Sequence, residues 1–496
     1  MTIEKNSRFA SWINGCDYVM MIGVFLSIFF LPITGAVVEG AFVLMLLAHF
    51  VKRFFIFAEN LALSRTTNKI KIFLQSFKPQ ASPLNKALGI YVLAAFLSVV
   101  FSVDIHLSIK GFVFKLLQGV YTYLIFVEVI STKRRLNIFN GIFLASIALI
   151  VVNGFVQHFR GYDFIHGYTW WDGRLVSSFK HSNDFGAYLI VVIMFLLGLT
   201  YHFLSAFLNG NLKTEKEALI NKLFLCALVV LLFGAIYCLG LTFSRGAWLG
   251  FFIALVCFGF YKNKCFFIVP MGLIIVFLFL FYPMMRMSRN VSFTTDRVKK
   301  ITLHVERQPD LVKADLPEAG LPKTDLPEKN NPPVKQAVSL EHCQICQTIL
   351  RKINKVGSGR MDFWHEAINI IHDYPVFGTG LNTYSIVARK YKINWGGYPH
   401  NCYLQIAAEM GIVGLLSFLW IIGVFIKTAL KSLAKKTYEF WDYMGLGLFC
   451  GLIGFFIHAA FDTTFYSVQL DSYLWLMLGA YMSSYLLGAS SGLMKN

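Results

Sequence analysis

Three residues of this chain have the types and settings needed to handle a phosphate group and a proton: Arg245, Arg360 and His400. His400 stands in the run Tyr398-Pro399-His400-Asn401, immediately before an apolar stretch. Histidine exchanges protons near neutral pH, so at the edge of a membrane it suits a general base acting on a substrate hydroxyl. A lone loop histidine is more often an ordinary surface residue; the depth at which lipid-borne head groups sit is what makes this one a candidate. Arg245 lies in Thr242-Phe243-Ser244-Arg245-Gly246, at the outer end of another apolar stretch. An arginine near hydrocarbon is costly and normally has a partner, the plain alternative being that it snorkels toward head groups. Ser244 and Gly246 leave hydroxyl and backbone donors open beside it, as a phosphate site requires. Arg360 follows Gly357-Ser358-Gly359 and opens a helix-patterned stretch. The N-terminus of such a helix offers free N–H groups and the positive end of its dipole. Two guanidinium groups and a helix N-terminus can grip a pyrophosphate through bidentate bonds.

The elements that must position these residues are membrane spans. The chain has 496 residues, is 56% hydrophobic and has mean hydropathy +0.59, the composition of an integral membrane protein. Twelve apolar runs are each long enough to cross a hydrocarbon core of about 30 Å. They lie around 18–33, 37–55, 87–104, 111–130, 138–157, 184–204, 221–240, 245–261, 265–283, 408–427, 443–461 and 472–488. No A-x-A-like cleavage site precedes the first run, so it is expected to remain as a span. The net charge of +18 is distributed by topology rather than as a nucleic-acid footprint. Lys52, Arg53, Arg65, Lys69, Lys71, Lys78 and Lys86 are assigned to one loop, Lys133, Arg134 and Arg135 to a second, Lys262 and Lys264 to a third, and Lys427, Lys431, Lys435 and Lys436 to a fourth. With twelve spans and the N-terminus inside, all four loops are cytoplasmic. Both termini are then cytoplasmic, and His400, Arg245 and Arg360 face outward.

Two external loops are large. One, at about 158–183, is rich in aromatic and polar groups. The other, at 284–407, separates spans 9 and 10 and divides the chain into spans 1–9 (1–283), the loop, and spans 10–12 (408–496). Within it, about 305–354 is a Pro-rich stretch with an imperfect DLPE repeat, read as a flexible insertion. The part from about 357 to 407 is expected to be ordered and helical. Phe363, Trp364, Ala367, Ile368 and Ile371 recur at helical spacing there, Pro375 stops the helix, and Gly378 and Gly380 make a turn. This reads as an amphipathic helix on the membrane surface, a lid or wall, or else a packing helix with no catalytic role. Of nine cysteines, Cys226, Cys238, Cys257 and Cys450 sit in apolar runs as small apolar residues. Cys343 and Cys346 form a CxxC in the external loop, where a disulfide is admissible. A zinc site would need a second ligand pair, and a c-type haem site would need a histidine where Gln347 stands.

Taken together, these residues resemble the O-antigen ligase and O-antigen polymerase superfamily. His400-Asn401, followed at fixed spacing by Gly411 and Gly414, is similar to the ligase signature. Arg245 with Leu249 is similar to the family's Arg-x-x-x-Leu element, and Gly359-Arg360, Trp364, Pro375 and Gly378-x-Gly380 to the start of its conserved domain. The resemblance is read over about 180–490. It implies an all-α polytopic membrane protein of about twelve transmembrane helices, with a GT-C-like glycosyltransferase architecture. It also implies an inverting, metal-independent glycosyltransferase in the bacterial inner membrane, active on the periplasmic side, with no cofactor, nucleotide or nucleic acid. The donor it implies is an undecaprenyl-pyrophosphate-linked glycan and, for ligases, the acceptor is a lipid A–core sugar hydroxyl; membrane lipids are the other partners.

In that frame Arg245 and Arg360 neutralise the leaving pyrophosphate in place of a metal, and His400 deprotonates the acceptor. Further substrate-binding candidates are Arg174, Lys115, Asn401 and Glu409. Lys115, one turn inside its run, would reach the diphosphate or snorkel; Glu409 would orient a partner or cap its helix. Arg160, Lys180 and His181 share Arg174's loop, where Trp170 and Trp171 are belt residues or sugar-stacking ones. An O-antigen polymerase or a protein O-oligosaccharyltransferase would use the same donor. A transporter or flippase is the competing class, but it would place ionisable residues at the bilayer midplane and show repeated halves.

Overall fold

The computed structural model describes residues 9–63, 68–170, 173–209, 214–262, 272, 274–285, 360–391, 397–433 and 440–493. The architecture is all-α; among the described residues the only β feature is a single bridge between Tyr162 and Thr169. The helices are α1 (Ala10–Phe30), α2 (Gly35–Leu63), α3 (Lys69–Ser76), α4 (Asn85–Val100), α5 (Ile105–Val129), α6 (Lys133–Arg160), α7 (Ser182–Leu208) and α8 (Glu215–Leu241). They continue as α9 (Arg245–Lys262), α10 (Ile274–Met285), α11 (Arg360–Asp373), α12 (Tyr384–Ala388), α13 (Cys402–Leu433), α14 (Phe440–Ala459) and α15 (Val468–Leu493). Each of the twelve apolar runs overlaps one of these helices. By length and composition, eight described helices can cross a membrane, while α4, α9 and α10 are shorter apolar helices. The chain is a multi-pass membrane protein. The Pro-rich insertion, the Cys343–Cys346 pair and Trp171 lie outside the described residues.

Helix α7 is the axis of the bundle: from Phe185 to Leu196 every residue is buried. It packs on α14 through glycines, because without a hydrophobic drive between helices in lipid, association depends on close backbone approach. A Cβ on Gly447 would lie 2.4 Å from the Met194 carbonyl oxygen, and one on Gly198 would lie 2.5 Å from that of Tyr443. Helix α9 joins the same core where Gly250 and Gly454 face each other, a Cβ on Gly250 falling 2.4 Å from the Gly454 carbonyl oxygen. These contacts bring the start of α7, the start of α9 and the end of α14 to one end of the molecule.

Lys52 and Arg53 depart from their assignment to a cytoplasmic loop. Both lie inside α2, are 7% exposed, and are neutralised by acids from neighbouring helices. The Lys52 amino group is 2.6 Å from both Asp17 and Glu128, and Arg53 pairs with Glu128. Buried charges persist only when paired in this way, so these two tie α2 to α1 and α5.

Helix α11 starts at Arg360 and ends before Pro375, as its pattern predicts. Its buried side differs from the expected one. Ala367 and Ile370 are buried against Tyr384, Val387, Ala388 and Ala408, whereas Ile368 is 52% exposed. The helix is therefore seated on α12 and the start of α13, with only its other side left for a membrane surface. Helix α13 begins at Cys402, earlier than the expected boundary, and is broken at Gly411 (φ 67°, ψ −173°). The break frees carbonyls that the preceding glycine turn takes up: Thr379 N–H donates to Ala408 O (3.0 Å) and Gly380 N–H to Glu409 O (2.8 Å). In return Ile412 N–H donates to Pro375 O (2.9 Å). A Cβ on Gly411 would fall 2.1 Å from Val376 O, and one on Gly378 would fall 2.3 Å from the Glu409 carbonyl carbon. The glycine spacing is thus a requirement for two backbones to touch.

Gly411→Ala forces a backbone region essentially reserved for glycine, costing about 1–3 kcal/mol before the clash is counted. A lowered apparent Tm for the purified protein is expected, whereas Gly423→Ala, with no atom within 4 Å of its Cβ, leaves Tm unchanged or raised.

Candidate functional site

At the glycine-packed end lies a cleft lined by Arg174, Asn183, Arg245, Arg360, His458 and Asp462, among others. Each side chain arrives from a different element. A three-residue turn after α8 delivers Arg245 as the first residue of α9; Phe243 in this turn has φ 47°, a left-handed conformation that a bulky residue adopts only under constraint. Thr242 stabilises the turn by donating from its hydroxyl to Leu239 O (2.7 Å) and accepting from Ser244 N–H (3.3 Å).

Arg174 reaches the cleft because its loop is tied internally. The Asp163 carboxylate accepts from the N–H groups of Ile165, His166 and Tyr168, and the Gln157 side-chain oxygen accepts from Val176 and Ser177. Trp170 Nε1 donates to Gln157 O (2.9 Å), which makes it part of this bracing. Arg174 then donates to Thr242 O (2.8 Å) and to Asn183 Oδ1 (2.6 Å). Loops that the topology assigns to one side of the membrane thus meet at a single point.

The hub of that meeting is Asp462, just past the end of α14, a residue that no sequence motif marks. One carboxylate oxygen accepts from Asn183 Nδ2 and lies 3.7 Å from the Arg360 guanidinium, which also donates to Phe461 O. The other accepts from Thr463 N–H (2.8 Å) and is 3.2 Å from His400 Nδ1. Because a carboxylate can only accept, Nδ1 carries the proton and Nε2 is left as the basic nitrogen of a neutral ring. Burial alone would raise the Asp462 pKa, but the His400 hydrogen bond and the His458 and Arg360 charges outweigh it, holding the carboxyl well below its usual range. It stays ionised wherever His400 can act as a base. His400 itself is held at φ 49° with its side chain 38% exposed, and the Phe363 ring of α11 meets it edge-on at 5.8 Å.

Of the expected site residues, Arg174, Arg245 and Arg360 line the cleft, and His400 adjoins it through Asp462. Asn401 has a different job: its side-chain oxygen accepts from Tyr403 and Leu404 N–H (3.0 and 3.1 Å), capping α13. Lys115 and Glu409 line a separate cavity. The Lys115 amino group donates to Asn382 Oδ1 (2.8 Å), and Glu409 accepts from Tyr384 N–H (3.1 Å) and from the Tyr466 hydroxyl. Neither lines the arginine cleft, because the α13 break turns Glu409 toward α12 and the turn after α14. Arg160, Lys180 and His181 are likewise absent from its lining. Asp462 and His458 belong to no motif; the one signal in the sequence is an acid at the very edge of an apolar run. His458 is buried, its Nδ1 3.2 Å from the Thr464 hydroxyl and its Nε2 without a hydrogen-bond partner among the described residues.

Fold and site together define a polytopic membrane protein with a cationic, histidine-bearing cleft at one end of its bundle. Residues 227–419 match the family described as O-antigen ligase. The match is narrower than the 180–490 expected; it includes Arg245, Arg360 and His400 and excludes Arg174 and Asp462. The chain is also similar to a Rickettsia conorii protein provisionally described as a polysaccharide ligase, at 31% identity over 94 residues. That similarity spans 17% of this chain and 23% of the relative.

Three guanidinium groups against one carboxylate leave the cleft with excess positive charge. Inorganic pyrophosphate is expected to bind purified protein by calorimetry. Arg245→Gln should weaken it by roughly 10-fold or more, the worth of a charge-assisted contact, and Lys115→Gln should leave it unchanged.

Proposed function

We propose that the protein is an inverting glycosyltransferase of the O-antigen ligase type. It moves a glycan from undecaprenyl pyrophosphate to a sugar hydroxyl of lipid A–core on the periplasmic face of the inner membrane. The observation that carries this reading is a cleft lined by Arg174, Arg245, Arg360 and Asp462, with His400 joined to it through its contact with Asp462. The family match over residues 227–419 supports the reaction class. The concentration of basic residues in alternate loops supports the orientation.

In this mechanism the cleft receives the donor's diphosphate. His400 Nε2 takes the proton of the acceptor hydroxyl, and the oxygen attacks the anomeric carbon. The bond from that carbon to the diphosphate oxygen breaks on the opposite face, inverting the centre. Negative charge that grows on the leaving oxygen is met by guanidinium groups already in place, so little reorganisation accompanies the reaction. Asp462 fixes the His400 tautomer and stabilises the imidazolium that forms, the role an aspartate plays in a nucleophile–base–acid triad. The proton then leaves through solvent at the exposed side of His400. Arg360, bonded to Phe461 O and close to Asp462, couples the phosphate end of the cleft to the base.

The test is deletion of the protein in its host followed by complementation. Wild type should restore polymer on lipid A–core, and His400→Ala should lower transfer by about 10²–10⁴-fold, the usual contribution of a general base. Asp462→Asn should fall in a similar range, and the double variant should be no slower than His400→Ala alone, since the two act as a unit. Core bearing a single repeat would instead identify a polymerase. Intact lipopolysaccharide with an unglycosylated secreted protein would identify a protein transferase. Undiminished transfer by His400→Ala membranes sinks the mechanism for every acceptor.

A further inference from the structure

A second cavity lies beside the arginine cleft and takes no part in the mechanism above. The two share a wall. Cys402 lines the second cavity and its thiol donates to Asp462 O (3.1 Å), while Phe465 and Tyr466 follow Asp462 closely in sequence and also line it. The cavity is built at three local irregularities: the π-helical turn Phe112–Leu117 that carries Lys115, the break of α13 at Gly411 beyond Glu409, and Asn382 at φ 63°. Irregularities of this kind are costly and concentrate at functional sites.

Its polar groups are only partly used by the protein. Among the described residues Lys115 makes one hydrogen bond, to Asn382, and lies 4.1 Å over the Tyr466 ring. The Asp471 carboxylate accepts from Trp475 Nε1 at 3.2 Å. Gln405 is 2% exposed; its amide approaches the Tyr466 hydroxyl, but among the described residues neither its oxygen nor its nitrogen makes a hydrogen bond of good geometry. A buried amide left in that state costs free energy that a bound partner returns. The partner's chemistry follows by elimination. A phosphate would meet the carboxylates of Glu409 and Asp471 against a single lysine. A metal ion would meet the Lys115 ammonium. A lipid chain would leave Gln405 and Lys115 unsatisfied. A neutral hydroxyl-rich ring would use donors from Lys115 and Gln405 and acceptors from Asp471 and Gln405. Its apolar face would lie on the walls formed by Tyr91, Phe465 and Trp475.

We propose that this cavity is a saccharide subsite holding one ring of a glycan substrate beside the His400–Asp462 pair, a proposal that rests on the transferase reading for the source of the ring. The source is the donor glycan or the acceptor, and kinetics separate the two.

The experiment uses full-length protein in lipid nanodiscs, free of sugar detergent, with glucose, galactose and N-acetylglucosamine as probes. Saturation-transfer NMR at millimolar sugar should show binding to wild type. The signal should fall about five-fold or more in Gln405→Leu and in Asp471→Asn, the worth of one or two hydrogen bonds. Pyrophosphate binding and the thermal unfolding temperature report that each variant is folded. In transfer assays both variants should raise one substrate's KM with kcat nearly unchanged: the acceptor's KM if the ring belongs to the acceptor, the donor's if it belongs to the donor. No sugar signal with wild type, or an equal signal in both variants, overturns the subsite and leaves a cavity holding solvent only. Sugar binding that depends on Gln405 and Asp471 in a protein without transfer activity keeps the subsite and removes the transferase reading.

Discussion

The arrangement at the cleft end of the bundle depends on one buried carboxylate. Asp462 accepts from Asn183 on α7, from His400 before α13 and from its own following backbone, and it lies near Arg360 of α11. A carboxylate taken out of water must find such partners, because an uncompensated buried charge costs several kcal/mol. That requirement makes it a hub. It collects elements from four places in the chain and orients the histidine by accepting its Nδ1 proton. The surplus of arginines around it also makes the cleft attractive to anions despite the acid at its centre.

Glycine makes this convergence sterically possible, in two distinct ways. Within the bundle, Gly198, Gly250, Gly447 and Gly454 let α7, α9 and α14 touch backbone to backbone, which fixes where their ends fall. Outside it, Gly378, Gly380 and Gly411 let the turn after α11 pair with the opened first part of α13. The second contact sets the position of His400 relative to α11, since α11 and the start of α13 are held through the same segment. Side-chain packing alone would leave these parts free to slide; direct backbone hydrogen bonds do not.

Much of the site is legible along the chain. Arg245 and Arg360 are marked by charge beside apolar runs and by neighbouring small residues, and both open helices that reach the cleft. His400 is marked by its place at a run's edge. Residue type misleads where direction is undetermined. Lys115 and Glu409 are ionisable groups near the correct end of the bundle. Yet a π-turn and a helix break turn them into the other cavity, and local spacing carries no trace of either irregularity. Asn401 beside His400 resembles a substrate ligand because an N-cap and a binding asparagine are the same residue in the same place. Asp462 escapes a linear reading because its partners are distant in sequence; His400 alone is separated from it by 62 positions.

By itself the sequence determined that this chain is a helical, multi-pass membrane protein, since runs of apolar residues of spanning length admit few other solutions in lipid. It also nominated the candidate cations and histidine, by their residue type and their place at the ends of apolar runs. Only the tertiary structure decided which of them share a cleft, that an aspartate joins them, and that a second polar cavity lies across a common wall. The reason is physical. Hydropathy is a property of a segment and can be read along it. A hydrogen bond between two helices depends on their rotation and depth, which many weak contacts across the whole bundle set together.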